Sequence, residues 1–370
     1  MRLGLIYHQF IPRGGLEGYL MEFALRLKAA GHELDLVTGE LHPALEKELG
    51  ATVHRVPLVR GSALLRMWQF EREASRLAST LPVAATIGFG RTTTHDLHRA
   101  GGGCHAVYSQ LLPPWKRWTL KNFLELKLER ELYTSGRTRR FVVNSGEVAR
   151  QLHEIYGTPR EQFEVIHTAV DTQKFHPAED HAAVKTGVCS QLKSDPTRPA
   201  FLFVSLSHRR KGLDALLEAW TDIDADLWIV GKELNAGYRA LVASLGLQKK
   251  VKTLAAQSNV AVLYQAADWF IHPTQYDACA NTVLHSMACG LPGLISVNDG
   301  AIDLLQDGSN GLLLPQPQDP GVLQQNIKKA LSMDEASRAR LGAAARETVV
   351  PLTWEAHLRK WLLLIEKLSL

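Results

Sequence analysis

Cysteine is scarce in this sequence, with four in 370 residues (Cys104, Cys189, Cys279 and Cys289) and no CxxC spacing or zinc-like pairing with histidine. In so large a chain, that excludes a disulfide scaffold and favours reduced thiols. Long hydrophobic runs are missing too. No uninterrupted apolar stretch reaches the roughly 18 residues a membrane span needs, and the opening run Met1–His8 is too brief for a signal peptide. A cytoplasmic protein is therefore expected. Neither sign of charge dominates: 42 Lys and Arg stand against 38 Asp and Glu, for a net charge of +4. Such a balance suits an acidic ligand such as a diphosphate, or an anionic membrane surface, and does not call for nucleic acid. The G-x-G-x-x-G fingerprint is absent, which counts against a dehydrogenase. No acid cluster suggests a metal, and no cofactor is expected. The D-x-D spacing of Asp222, Asp224 and Asp226 falls in a helix-to-strand connection and reads as a surface turn.

What is present is ample apolar material, 45% of the residues, in a chain longer than one compact core usually holds, so two domains are expected. Short apolar runs alternate with helical patterns almost throughout, the pattern of a parallel α/β architecture. Strands are expected at Arg2–Tyr7, Glu33–Thr38, Thr52–Val56, Val83–Ile87 and Phe141–Val143. Between the first two, Leu16, Leu20, Phe23, Ala24 and Leu27 fall at helical spacing. The polar stretch Asp180–Pro199 reads as the interdomain linker. A second series of strands then opens at Phe201–Leu206, Leu227–Val230, Val251–Leu254 and Trp269–His272. Boundaries are set at 1–175 for the first domain, joined by an amphipathic helix over 353–370, and at 176–352 for the second. Two such nucleotide-binding folds facing each other would receive a ligand at the carboxyl ends of their strands.

Three places carry chemistry. Gly14 and Gly15 lie between the first strand and its helix, where glycine lets backbone approach a ligand and a helix N-terminus meets an anion; a plain tight turn is the alternative. Arg210 and Lys211, in Ser207–Gly212 after a strand, supply fixed positive charge for a diphosphate leaving group; the alternative is a solvated basic turn. The third place runs through Ala266–Pro273, Tyr276–His285 and Ser286–Pro292.

In this third stretch the chain resembles the retaining glycosyltransferases of family 4, which have the GT-B fold of two Rossmann-like domains and a central cleft, and within them the lipopolysaccharide core glucosyltransferase I branch. The resemblance also takes in Ala30–Leu34, Asn144-Ser145, Val165–Asp171, Phe175, Pro177, Arg210–Gly212, Cys289–Pro292 and Asn310-Gly311. It implies transfer of a hexose from a nucleotide-sugar, such as a UDP-sugar, to a glycan or glycolipid acceptor. The family's Glu-x7-Glu motif falls on Asp277, toward the donor sugar, and on His285, toward the ribose, with Ala280, Asn281 and Thr282 between them at the donor. Histidine offers one acceptor where carboxylate would take two hydroxyls, so weak or altered nucleotide binding is expected; a surface histidine is the alternative. Where the family has a cleft histidine or acid, this chain has Gly102. Asp96, His98 and His105 nearby are candidates for sugar contacts, with a core histidine as the alternative for His98. A catalytically degenerate protein that binds a glycan or partner without turnover is the competing functional reading.

Segment 113–140 holds Trp115 and Trp118 among Lys116, Arg117, Lys121, Lys127, Arg130, Arg137, Arg139 and Arg140. Interfacial aromatics beside cations suit an anionic membrane surface, and a solvated helix is the alternative. The apolar positions do not form one stripe, so some belong in the core.

Overall fold

The computed structural model describes residues 1–11, 15–59, 61–255 and 259–369. It divides into two compact units, Met1–Thr168 with Trp354–Leu370, and Ala169–Thr353.

The first unit is built on a seven-stranded parallel sheet. In chain order its strands are Arg2–Ile6, Glu33–Thr38, Thr52–Arg55, Ala85–Gly88, His95–Arg99, Thr138–Val143 and Phe163–Val165. They lie side by side as third, second, first, fourth, fifth, sixth and seventh. The connection order reverses between Arg2–Ile6 and Ala85–Gly88, which pair directly. Helix Gly15–Ala29 buries Tyr19, Leu20, Phe23, Ala24 and Leu27, the apolar stripe of its sequence. Against it packs the helix Trp354–Ser369, whose Trp361 ring lies 5.2 Å from that of Phe23. His357 on the same helix binds Tyr19 Oη through Nε2 at 2.7 Å and lies 2.9 Å from the His167 carbonyl through Nδ1. The fifth strand has no apolar run to announce it. His95, His98 and Arg99 are nonetheless buried there, because a parallel sheet is covered on both faces.

The second unit holds a six-stranded parallel sheet, with strands Ala200–Ser205, Asp226–Gly231, Val251–Ala255, Trp269–His272, Gly293–Ser296 and Leu312–Leu314. Their lateral order is third, second, first, fourth, fifth, sixth, the doubly wound arrangement that places ligands beside the first and fourth strands. Ala200–Ser205 and Asp226–Gly231 read as nearly continuous apolar runs and are buried at every residue but Val204.

Three expectations change. The unit boundary falls after Thr168, not after 175. The Val170 N–H donates to Leu352 O at 2.8 Å, and Phe175 packs beside Tyr264 and His285, so both belong to the second core. Asp180–Pro199 is not a bare linker, since His181–Leu192 is a helix capped by Asp180, with Val188 and Cys189 buried. Of the three D-x-D aspartates, Asp226 is no surface residue. It is buried at the head of its strand and accepts from Arg198 Nε at 3.2 Å and from Ser194.

Candidate active site

The carboxyl ends of the second unit's first and fourth strands bring together residues far apart in sequence. Ala200–Ser205 leads into Arg210 and Lys211, and Trp269–His272 into Asp277. Gly212 makes the approach possible. Its φ is +82°, and a Cβ there would stand 2.0 Å from the Pro273 carbonyl oxygen, so only glycine fits. Its conformation starts the helix Leu213–Ala219 and turns Lys211 inward.

Asp277 is fixed through its backbone: its N–H donates to Asn298 O at 3.1 Å, and its carbonyl accepts from the Gly300 N–H at 2.9 Å. One carboxylate oxygen, Oδ2, accepts from Arg210 Nη1 at 2.8 Å and also from Lys211 Nζ. Arg210 donates as well to Tyr276 O at 2.9 Å. Burial alone would raise the Asp277 carboxyl, but the Lys211 and Arg210 cations outweigh it and hold the group well below the usual carboxylate range. It is therefore ionised, and it neutralises one of the two cations beside it.

Behind Lys211 stand two fully buried groups that the sequence reading did not single out. His272 Nε2 is 3.2 Å from Lys211 Nζ and 3.0 Å from Asp299 Oδ2. Burial, and then the Lys211 cation, lower the His272 imidazole, so it is neutral near pH 7. Asp299 Oδ1 accepts from the N–H groups of Ala280 at 3.0 Å and Ala301 at 2.8 Å. Their positions at the ends of neighbouring strands were the signal available in the sequence. Ligand atoms of His272, Asp277 and Asp299 lie within 4.8 Å of one another. A metal there would meet the Lys211 ammonium, which already contacts two of the three.

The remaining donor-site candidates occupy the helix Asn281–Ala288 and its entry. The Ala280 N–H is committed to Asp299, whereas Thr282 Oγ1 is buried without a hydrogen-bond partner. His285 is not a plain surface residue. Its ring stacks on Phe175, with centroids 3.8 Å apart and 5° between the planes, and burial pushes its imidazole down to about 4. Gly15 opens the helix Gly15–Ala29; Gly14 lies outside the described residues.

In the first unit the three polar candidates separate. Asp96 serves the sheet: Thr86 N–H and Thr86 Oγ1 both donate to its Oδ2 at 2.9 Å, which joins adjacent strands. His105 is held by Asn122 Oδ1 at 2.8 Å and Glu125 Oε2 at 2.9 Å. Neither lines the cavity of about 500 Å³ at the carboxyl end of this sheet; His98 does, together with Gly102, Arg91 and Arg99. His98 is buried and its imidazole is lowered by that burial and by His95, so it is a neutral cavity wall. Sequence reasoning missed Arg91, Arg99 and Glu129. Glu129, fully buried, accepts from the N–H groups of His105 and Ala106, from Tyr156 Oη and from Arg91.

Within 113–140, the expected split between core and surface is resolved residue by residue. Leu128, Leu132 and Tyr133 are buried, while Trp115, Trp118 and Leu120 are 72%, 71% and 74% exposed, and Phe123 is exposed beside them. No helix among the described residues is long and apolar enough to cross a membrane.

Comparison with known proteins agrees with this geometry. Residues 13–174 match the family described as Glycosyltransferase Family 4, and residues 189–348 the family described as Glycosyl transferases group 1. The chain is 21% identical over 348 residues to the lipopolysaccharide glucosyltransferase WaaG of Escherichia coli (strain K12), covering 90% of each chain. The crystal structure of WaaG, described as a glycosyltransferase involved in lipopolysaccharide biosynthesis, superposes with a TM-score of 0.80 at 20% identity, covering 99% of this chain and 98% of that one. The Anabaena protein HepE, solved in complex with UDP and glucose, superposes with a TM-score of 0.75 at 15% identity, covering 99% and 100%. At these identities the superpositions speak for the fold. With a family 4 domain followed by a group 1 domain, each on its own parallel sheet, this chain belongs to the glycosyltransferases of GT-B fold.

Proposed function

We propose that this glycosyltransferase moves a hexose, glucose in the first instance, from a UDP-sugar to a lipopolysaccharide core or related cell-surface glycan, with retention and without a metal. The observation that carries the reading is the pair Arg210 and Lys211 at the carboxyl edge of the second sheet, oriented by Asp277. The anomeric carbon–oxygen bond to the diphosphate breaks, and an acceptor hydroxyl oxygen bonds to that carbon on the same face. Its proton passes to the departing phosphate oxygen, so no side-chain base is needed. The two cations neutralise the charge growing on the diphosphate, and rigid positioning supplies much of the rate. Lys211, seated against His272 and Asp277, fills the place a divalent ion would take.

The glucose and lipopolysaccharide assignments are supported by the relative in Escherichia coli, and UDP by the complex of HepE. The test is release of free nucleotide from UDP-glucose, UDP-galactose, UDP-N-acetylglucosamine and GDP-mannose, with and without acceptor extracts and with EDTA. Turnover of UDP-glucose that survives EDTA is expected. Silence with every donor would favour a degenerate protein that binds without turnover, a reading to which the Phe175-stacked His285 at the ribose position lends weight.

The same proposal places the chain in the cytoplasm, peripheral on the inner face of the inner membrane, through Trp115, Trp118, Leu120 and Phe123 with the cations of 113–140. Flotation with anionic vesicles at low salt checks this. Retention that weakens in Trp115→Ser/Trp118→Ser is expected, and no retention of the unaltered protein removes the membrane role.

A further inference from the structure

One cavity of the first unit lies where its strand order reverses, walled by Tyr7, His8 and Gln9 after the first strand and by Phe89, Gly90 and Arg91 after the fourth. Such a reversal is where open α/β sheets bind ligands. Four cations reach this wall, Arg66, Arg91, Arg99 and Lys121, against two acids, Glu40 and Glu125. Two of the cations have acid partners: Arg91 lies 3.3 Å from Glu129 and Lys121 3.7 Å from Glu125.

Arg99 has none. It is 4% exposed, yet no carboxylate pairs with it among the described residues. Its guanidinium carbon stands 3.7 Å from the Tyr19 ring centroid, Nη2 donates to Thr168 Oγ1 at 3.3 Å, and Nε is buried without a partner. The aromatic face offsets part of the desolvation of the cation. It does not supply a counter-charge, and a guanidinium does not escape the cost by losing its proton. Gly101 guards the same space, for a Cβ at that position would stand 1.9 Å from Arg99 Nη1. Arg66 on the cavity wall likewise pairs with no carboxylate among the described residues.

We propose that this cavity receives the acceptor glycan through an anionic substituent, a phosphate or a carboxylate, which provides the counter-charge Arg99 lacks. This rests on the reading of the chain as a transferase with a glycan acceptor, and it narrows that acceptor to an acidic sugar. The planar fork of arginine suits either group, since both present two oxygens in one plane with its N–H groups.

The experiment is calorimetry on the full chain with glucose, glucose 6-phosphate, glucuronate and inorganic phosphate, and separately with UDP. At least one acidic sugar is expected to bind about tenfold or more tightly than glucose, the factor carried by one charge-assisted hydrogen bond. The phosphate and carboxylate arms show which group is preferred. Arg99→Gln abolishes the preference and leaves UDP affinity unchanged, and Arg99→Lys restores part of it. Equal binding of glucose and the acidic sugars overturns the proposal, as does silence with all four probes. So does an Arg99→Gln protein that melts as the unaltered chain does and still prefers anions. Should Arg99→Gln not fold, the exposed Arg66→Gln takes its place; a weakened preference is expected, and an unchanged one counts against the cavity as described. Absence of UDP binding by the unaltered chain would instead remove the transferase reading, whatever the sugars do.

Discussion

The two units share a strand order and differ in how they treat their cations. In the second, the two buried cations, Lys185 and Lys211, each meet an acid. Arg210 and Lys211 share Asp277, while Lys185 Nζ and Arg338 Nη1 each reach Asp268 at 2.7 Å. In the first, Arg99 is as deeply placed and has a tyrosine ring and a hydroxyl. The same residue type therefore means different things at equivalent edges of two similar sheets. A paired cation holds a geometry ready, with its charge partly spent at home. An unpaired one still has its charge to give to a ligand.

The largest expected break in the second unit is Lys211→Ala. Removing a preorganised cation from a developing oxyanion costs about 10²–10³ in turnover, measured as nucleotide release at saturating donor; near-normal turnover would place Lys211 outside the reaction.

Next comes acid sensitivity, which sharpens the contrast from the side of the first unit. Burial pushes both His95 and His357 down to about 3 from the ordinary 6.5. Folding therefore excludes protons that the unfolded chain takes up below pH 6.5. Stability is whole above that value and is lost progressively as pH falls toward 3. Urea unfolding across this range should show the decline, and His357→Gln should flatten it.

Gly212→Ala tests the turn that aims Lys211. A left-handed φ and a Cβ against the Pro273 carbonyl are expected to cost about 1–3 kcal/mol, visible as a lowered melting temperature. An unshifted melt would mean the turn relaxes freely.

The smallest effect is the most pointed, because it makes the second unit resemble the first. Asp277→Asn leaves Arg210 and Lys211 without their acid. UDP should then bind roughly tenfold more tightly, as one charge-assisted hydrogen bond is handed to the ligand, while sugar transfer falls. Unchanged UDP affinity in calorimetry would show that the carboxylate and the diphosphate do not share those cations.

Much of the frame was readable in advance. Runs such as Phe201–Ser205 and Leu227–Val230 are apolar because parallel strands are covered on both faces. Arg210, Lys211 and Asp277 could be named because a strand end followed by charge is a local pattern. The strand His95–Arg99 was not readable: four of its five residues are polar or charged, and only partners outside the strand, Thr86, Thr92 and Tyr19 among them, make that tolerable. The hydrogen bonds of Asp96 and His105 were hidden for the same reason. Their partners, Thr86, Asn122 and Glu125, are set by packing that no spacing reveals. Asp226 looked like a turn aspartate until Arg198 and Ser194 came to it from another part of the chain.

The helix Trp354–Ser369 has a consequence for how the molecule is made. Its Trp361 and Ile365 complete the core around Phe23, yet they leave the ribosome after all of residues 169–353. The second unit can close its sheet during translation, while the first must wait, one flank bare, for its last helix to be synthesised. Nascent chains stalled before Trp354 should therefore expose the apolar face of Gly15–Ala29 to chaperones and proteases, and gain protection only once that helix has emerged.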